Sequence, residues 1–305
     1  MLARSLPAIG KVLAGLFLAV LGSVLQPAPA HAGINSCSIS SSGIIFSPYD
    51  SQTQLAVNGT GTITVTCTGD GPTNGLSLNL TGGNAGSCST RQMRKGSESL
   101  NYQVFRESGR VNAFCDGGSR LDINMDFTTG GTQTQTYTMY GRVSASQNPT
   151  YGAYSDLLSV SLKKGGGTIA TTTASISGSV APICTASAGT LGFGNYSTAS
   201  AAVSSASVSV NCSNGASYQV SLGGGQNLNG TSRRMVGPSG AFLSYQLFSN
   251  SGRTIAWGDG TALGAKVNGT GNGLSQGLTV YGRIPAGQSP NPGSYSDTVV
   301  VTVEY

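Results

Sequence analysis

The 305-residue chain carries 16 Lys and Arg against 11 Asp and Glu, a formal charge of +5, with charged residues only 9% of the total and 46 glycines. So weak a positive balance, with no aromatic platform interleaved among basic residues, argues against nucleic acid as a partner. The single histidine, His31, lies in a segment expected to be removed, which takes away Ser-His-Asp and Cys-His catalysis and histidine-bearing zinc sites together.

Residues 1–32 read as an export signal. Arg4 and Lys11 form a positive start, residues 12–25 an apolar run, and "APAHA" a small-residue cleavage pattern ending at Ala32. The run is short of the roughly 20 residues a membrane helix needs. The expected mature chain runs from Gly33 to Tyr305, with 14 basic against 11 acidic residues, about +3. It is expected to be secreted through the periplasm.

Downstream, short alternating runs of Val, Thr, Tyr and Ile are split by Gly-rich turns, which predicts an all-β sandwich class. In "TITVTC", Ile63, Val65 and Cys67 share one face; in "LSLNL", Leu76, Leu78 and Leu80 do so. "LDINMDF" places Leu121, Ile123, Met125 and Phe127 together, with Asp122, Asn124 and Asp126 opposite. Its D-x-N-x-D spacing resembles a calcium loop, but Phe127 stands where Gly is required and Gln133 where a bidentate Glu belongs. The basic stretch "RQMRK", residues 91–95, reads as a solvated connection.

Six blocks then recur in the same order. "CSISSSGIIFSPY" from Cys37 matches "CTASAGTLGFGNY" from Cys184, and "TITVTC" matches "SVSVNC". "STRQM" matches "TSRRM", "LNYQVF" matches "LSYQLF", and "ESGRVNAFCDG" matches "NSGRTIAWGDG". "YGRVSASQNPTYGAYSD" closes the first copy and "YGRIPAGQSPNPGSYSD" the second. The chain is expected to hold two tandem domains, residues 33–181 and 182–305.

Six cysteines permit fifteen pairings. The repeat makes Cys37 with Cys67 equivalent to Cys184 with Cys212; Cys88 and Cys115 align with Gly230 and Gly258, so both are absent together from the second copy. Three disulfides are expected, in an oxidising compartment.

The cysteine at each domain start, the "TITVTC" and "SVSVNC" strands, the L-x-Y-Q-x-F block and the closing "YGR…YSD" signature resemble the spore coat protein U domain family, which includes subunits of archaic, Csu-type chaperone–usher pili. The resemblance covers nearly all of the mature chain, once per domain. It implies immunoglobulin-like, pilin-type β-sandwiches, the second lacking its last strand. It also implies a periplasmic chaperone, an outer-membrane usher and an adjacent pilin subunit as partners; strand addition of this kind is a known example of sheet-edge recognition.

The two copies end differently. After "YSDLLSVSL" the chain continues through "KKGGG" into "TIATTTASISGSV", a segment over residues 168–181 whose Ala170, Thr172, Ala174, Ile176, Gly178 and Val180 share a strand face. It is expected to complete domain one from within, with Ala174, Ile176, Gly178 and Val180 as the filling face. After "YSDTVVVTVEY" nothing follows, so Val299, Val301 and Val303 are expected to form an edge open to a foreign strand. Only "GINS" precedes Cys37, too little for a donor strand of about 5–6 residues. The expectation is a pilus-tip subunit of a fimbrium at the cell surface, holding an unknown receptor through domain one; the alternative is a structural protein of a spore coat or cell envelope.

In domain one the loops farthest from domain two are expected to be "TGDGPTN", the region "ESGRVNAFCDGG" and "KKGGG", with Val111 and Phe114 as the apolar candidates for adhesion, although Phe114 aligns with Trp257 and a shared core role is favoured for it over adhesion. "GLSQG" at residues 273–277 matches a nucleophile-elbow pattern without the strand-to-helix context or a histidine, so no enzyme, metal or cofactor is expected.

Overall fold

A computed structural model of the chain describes residues 33–127 and 129–305; the expected export signal lies outside the described residues. The alternating runs form strands as the period of two requires. Domain one contains β1 (Ile34–Ser41), β2 (Ile44–Ile45), β3 (Val57–Gly69), β4 (Pro72–Leu80), β5 (Gln92–Lys95), β6 (Glu98–Phe105), β7 (Leu121–Asp126), β8 (Gly131–Val143), β9 (Gly152–Lys164) and β10 (Gly167–Val180). On β3, Ile63, Val65 and Cys67 are buried, while Thr64 and Thr66 on the outer face bond the hydroxyls of Thr136 and Thr134 on β8. On β7, Ile123 and Met125 are buried in the same core, so its alternating acids belong to the outer face of a strand.

The hydrogen-bonded order is β1-β3-β8-β6-β5-β9-β10-β2, with β4 joined to β9 and β7 to β4. Domain two contains β11 (Cys184–Ala188), β12 (Ala202–Cys212), β13 (Ser217–Leu222), β14 (Arg233–Val236), β15 (Phe242–Phe248), β16 (Val267–Thr270), β17 (Ser275–Ile284) and β18 (Val301–Glu304). Its orders are β11-β12-β17-β15-β14 and β16-β13-β18. Strand for strand, β11, β12, β17, β15 and β14 repeat β1, β3, β8, β6 and β5, while β16, β13 and β18 repeat β7, β4 and β9. Among the described residues nothing repeats β10. The molecule is all-β and two-domained, each domain with its own apolar core.

Disulfides join Cys37 to Cys67, Cys88 to Cys115 and Cys184 to Cys212. The first and third tie β1 to β3 and β11 to β12 at register-paired positions. Between the domains the contact is polar. Ser51 Oγ donates to Ser213 Oγ at 3.1 Å, which in turn donates to the Ala181 carbonyl at 2.9 Å. Gln52 Nε2 donates to the carbonyls of Ile183 and Asn211 at 3.0 and 2.7 Å.

Candidate functional site

The strand face of residues 170–180 finds a place inside domain one. β10 runs antiparallel to β9 from Gly167↔Lys164 to Val180↔Gly152, and parallel to β2 on its other side at Ile176↔Ile44 and Ser177↔Ile45. Beyond β2, Phe46 N donates to Ser177 O at 2.8 Å and Tyr49 N to Ser179 O at 2.7 Å. Ala174, Ile176 and Val180 are buried, and Gly178 passes over Phe46 and Met93, where a Cβ would stand 3.4 Å from both side chains. Under this strand Leu158, Val160 and Leu162 of β9 are wholly buried.

Domain two holds the same walls without the filling. The counterparts of Ile44, Phe46 and Tyr49 are Leu191, Phe193 and Tyr196; those of Leu158, Val160 and Leu162 are Val299, Val301 and Val303; Met235 replaces Met93. Leu191, Phe193, Tyr196, Val299 and Val301 line a groove of about 1050 Å³. These residues and Val303 pack on the domain-two core but stay only half-buried. β18 has β13 on one side only. Its length reflects this: β9 spans 13 residues and β18 four. The four match the stretch of β9 that β4 pairs; the rest of β9 is paired chiefly by β10. An apolar wall beside an unpaired strand edge is a place where a further strand gains both ladder hydrogen bonds and side-chain burial.

A second repeated device organises each groove. The aspartate of each "YSD" block borders the groove, Asp156 within β9 and Asp297 in the segment leading into β18. Asp156 Oδ2 accepts from the Tyr102 hydroxyl at 2.6 Å, and its Oδ1 from Asn84 N and Leu157 N, both at 2.8 Å. Asp297 does the same with Tyr245 at 2.7 Å, Gln226 N at 2.8 Å and Thr298 N at 2.9 Å. Burial first, then the bond to the carboxylate, raises both tyrosine hydroxyls above their usual range, so each stays a donor. Gly83 and Gly225, both at positive φ, admit the carboxylates where a Cβ would collide with them. Sequence reading found these blocks as a signature but not the bond between them.

Arg91 is a correction. It is fully buried rather than solvated, because its guanidinium caps the Thr81 carbonyl at 2.8 Å and the Phe114 carbonyl at 2.7 Å. Arg233 repeats this on Gly223 and Leu222, both at 2.8 Å. Burial lowers the pKa of both guanidinium groups from the ordinary arginine value. The sign available in the sequence was that this arginine alone of its cluster recurs, in "STRQM" and "TSRRM".

The adhesive-loop residues need correction too. Phe114 is 1% exposed in the domain-one core, its N–H bonded to Val104 O, so it presents nothing to a surface. Its counterpart Trp257 is equally buried and donates from Nε1 to Val220 O at 3.0 Å. Val111 is exposed, but its loop lies on the flank: Arg110 Nε donates to Gly141 O, near the Val143 end of β8, and Glu107 Oε1 accepts from Val111 N and Asn112 N. Arg253 and Asn250 build the same turn in domain two. The end of domain one opposite the Ser51–Ser213 contact is made by residues 69–72 and 164–167, within the expected "TGDGPTN" and "KKGGG" loops, and by residues 126–127 and 129–131, but not by the Val111 loop; there Gly69 pairs Gly131, Pro72 pairs Asp126 and Lys164 pairs Gly167.

Ser275, centre of "GLSQG", begins β17 after a turn at Gly273, and its hydroxyl meets that of Ser209 at 2.5 Å. A nucleophile elbow requires a strand leading into a helix. Among the described residues no cluster of His, Cys, Asp and Glu could hold a metal ion, and no helix is long and apolar enough to cross a membrane.

The family described as Spore Coat Protein U domain matches residues 28–161 and 170–302, and the chain belongs to it. The second match begins inside β10, although that strand folds into domain one. Protein U of Myxococcus xanthus is 41% identical over 64 residues, 21% of this chain and 35% of that protein, so the likeness spans about a third of the relative. Among solved structures, a chain of the CsuC–CsuE chaperone–tip adhesion subunit pre-assembly complex from archaic Csu pili of Acinetobacter baumannii is 20% identical, covering 88% of this chain and 100% of that one, with a TM-score of 0.51. The CupB6 tip adhesin of Pseudomonas aeruginosa is 11% identical over 88% of this chain and 94% of that one, with a TM-score of 0.38. At 20% identity the likeness to the Csu chain is one of fold.

Proposed function

We propose that this spore coat protein U domain protein is the tip subunit of a chaperone–usher pilus. It crosses the periplasm in the care of a chaperone that lends a strand to domain two. At the outer-membrane usher an adjacent pilin subunit replaces that strand and fixes the protein to the fibre. Domain one, residues 33–181, then attaches the fibrium to a surface, while residues 182–305 form the docking domain. One observation carries this reading: the groove that β10 fills in domain one stands empty beside β18 in domain two.

The magnitudes agree. Each well-buried aliphatic side chain is worth roughly 1.5–3 kcal/mol, and each ladder hydrogen bond about 0.5–1.5 kcal/mol net. Several of each rival a whole domain's stability of about 5–15 kcal/mol. A domain two without a strand is therefore expected to aggregate or be degraded. The terminal placement draws on the use of Ile34–Ser41 as β1, paired along β3 within domain one, so these residues are not available to a neighbour.

The 41% identity to Protein U favours a second reading, a structural protein of a coat or envelope built from the same domain. Periplasmic expression of the mature chain with and without the pilus chaperone of its own cell separates the two. The tip reading expects soluble, protease-resistant protein only with the chaperone; a stable soluble monomer obtained alone would remove it. Immunogold label confined to fibre ends supports the tip, and label along fibres or on the cell envelope opposes it.

A further inference from the structure

The two grooves are lined alike but their rims are not built alike. In domain one the chain leaves β1 through Gly43, at φ +70, and drops at once onto β10 and β3. A Cβ on Gly43 would collide with the Ser175 carbonyl oxygen of β10 and stand 3.1 Å from its carbon. A Cβ on Gly61 of β3 would collide with the Gly43 carbonyl oxygen and stand 2.9 Å from Ile44 Cγ1. Both glycines are therefore required for β2 to lie beside β10.

In domain two the counterparts are Thr190 and Ala206, both bearing a Cβ, and Thr190 does not take a positive φ. The approach begins identically, Gly189 N to Ser207 O at 2.9 Å matching Ser42 N to Thr62 O at 3.1 Å. It then parts: Ser204, in place of Gly59, donates from Oγ to Gly192 O at 2.7 Å, and Leu191 and Gly192 form no strand. A β-branched residue resists the left-handed turn, and a methyl at Ala206 occupies the place where Gly61 lets the Gly43 carbonyl approach, although Leu191 and Phe193 still pack on Gly282 of β17 as Ile44 and Phe46 pack on Gly141 of β8.

We infer that Thr190 and Ala206 determine specificity at the domain-two groove by excluding a strand that follows the path of β10. The inference rests on the proposed strand-acceptor role of that groove. Its consequence is that neither the chain's own β10 nor that of a second copy can close domain two, which stays open to a strand of another subunit with a different path at Thr190. Discrimination of this kind works by clash against the wrong partner as much as by fit to the right one.

The test adds a synthetic peptide of residues 167–181 to the full mature chain, refolded at high dilution to hold off aggregation, and follows emission of Trp257, the chain's single tryptophan, which is buried in domain two. Thr190→Gly combined with Ala206→Gly is expected to bind the peptide at least about tenfold more tightly than wild type. Thr190→Ala, which keeps a Cβ, is expected to behave as wild type. As a converse, Gly43→Thr is expected to release β10 and expose the Lys163–Lys164 hairpin to trypsin. Equal peptide affinity of wild type and the double glycine variant, absence of binding by both, or unchanged trypsin resistance of Gly43→Thr would overturn the inference. None of these results bears on chaperone dependence, so strand acceptance itself stands or falls separately.

Discussion

Asp297 holds the Tyr245 hydroxyl at 2.7 Å on the wall of an open groove, whereas Asp156 holds Tyr102 at 2.6 Å sealed beneath β10. The same pair thus occurs once in a finished sandwich and once in an unfinished one. Loss of Asp156 strands a buried hydroxyl and two backbone donors, and leaving such groups unpaired costs about 1–3 kcal/mol each. Asp156→Ala is expected to lower domain-one stability by several kcal/mol in urea denaturation. Asp297→Ala, where water reaches the site, is expected to cost less in the Trp257 transition; equal losses would contradict this ordering.

Gly83 and Gly225 are bound to the same pair. Each is at positive φ with the aspartate where its Cβ would be. Gly83→Ala and Gly225→Ala are each expected to destabilise their own domain by about 1–3 kcal/mol. Thermal unfolding of Gly225→Ala read through Trp257 measures the second directly, and an unchanged midpoint would show that the loop yields.

β10 is the interior filling of domain one. Placing a carboxylate at Ile176 or Val180, both buried, forces an unpaired charge into the core. Ile176→Asp and Val180→Asp are expected to unfold domain one selectively, with loss of amide-exchange protection on β9. The Trp257 signal should persist where domain two has its chaperone. Unaltered protection on β9 would reduce the segment to a linker.

The bridge between Cys88 and Cys115 has no partner in domain two, where Gly230 and Gly258 stand instead. Replacing both cysteines by serine is expected to cost domain one about 2–4 kcal/mol. Calorimetry should show one transition falling and the other fixed.

The fold was legible because alternation and duplication are local properties of a sequence: Ile63, Val65 and Cys67 point inward whatever surrounds them. The chemistry at Asp156 was not, because Tyr102 lies on another strand and the two meet only across the sandwich. The loop at Val111 was misplaced for a similar reason. Its reach back to Gly141 depends on Arg110 at φ +54 and on one carbonyl near the Val143 end of β8. Arg91 looked solvated because charge is normally exposed, and its burial rests on acceptors distant in sequence, the carbonyls of Thr81 and Phe114 and the side-chain oxygen of Gln103.

The central claim is tested most directly by pulsed amide hydrogen exchange of the mature chain, refolded at high dilution so that exchange outruns aggregation, comparing Phe46 and Tyr49 with Phe193 and Tyr196. In domain one both amides bond β10; the account predicts strong protection there and near-open exchange at Phe193 and Tyr196. Equal protection of all four in the absence of any partner would show domain two already closed, and would contradict the account.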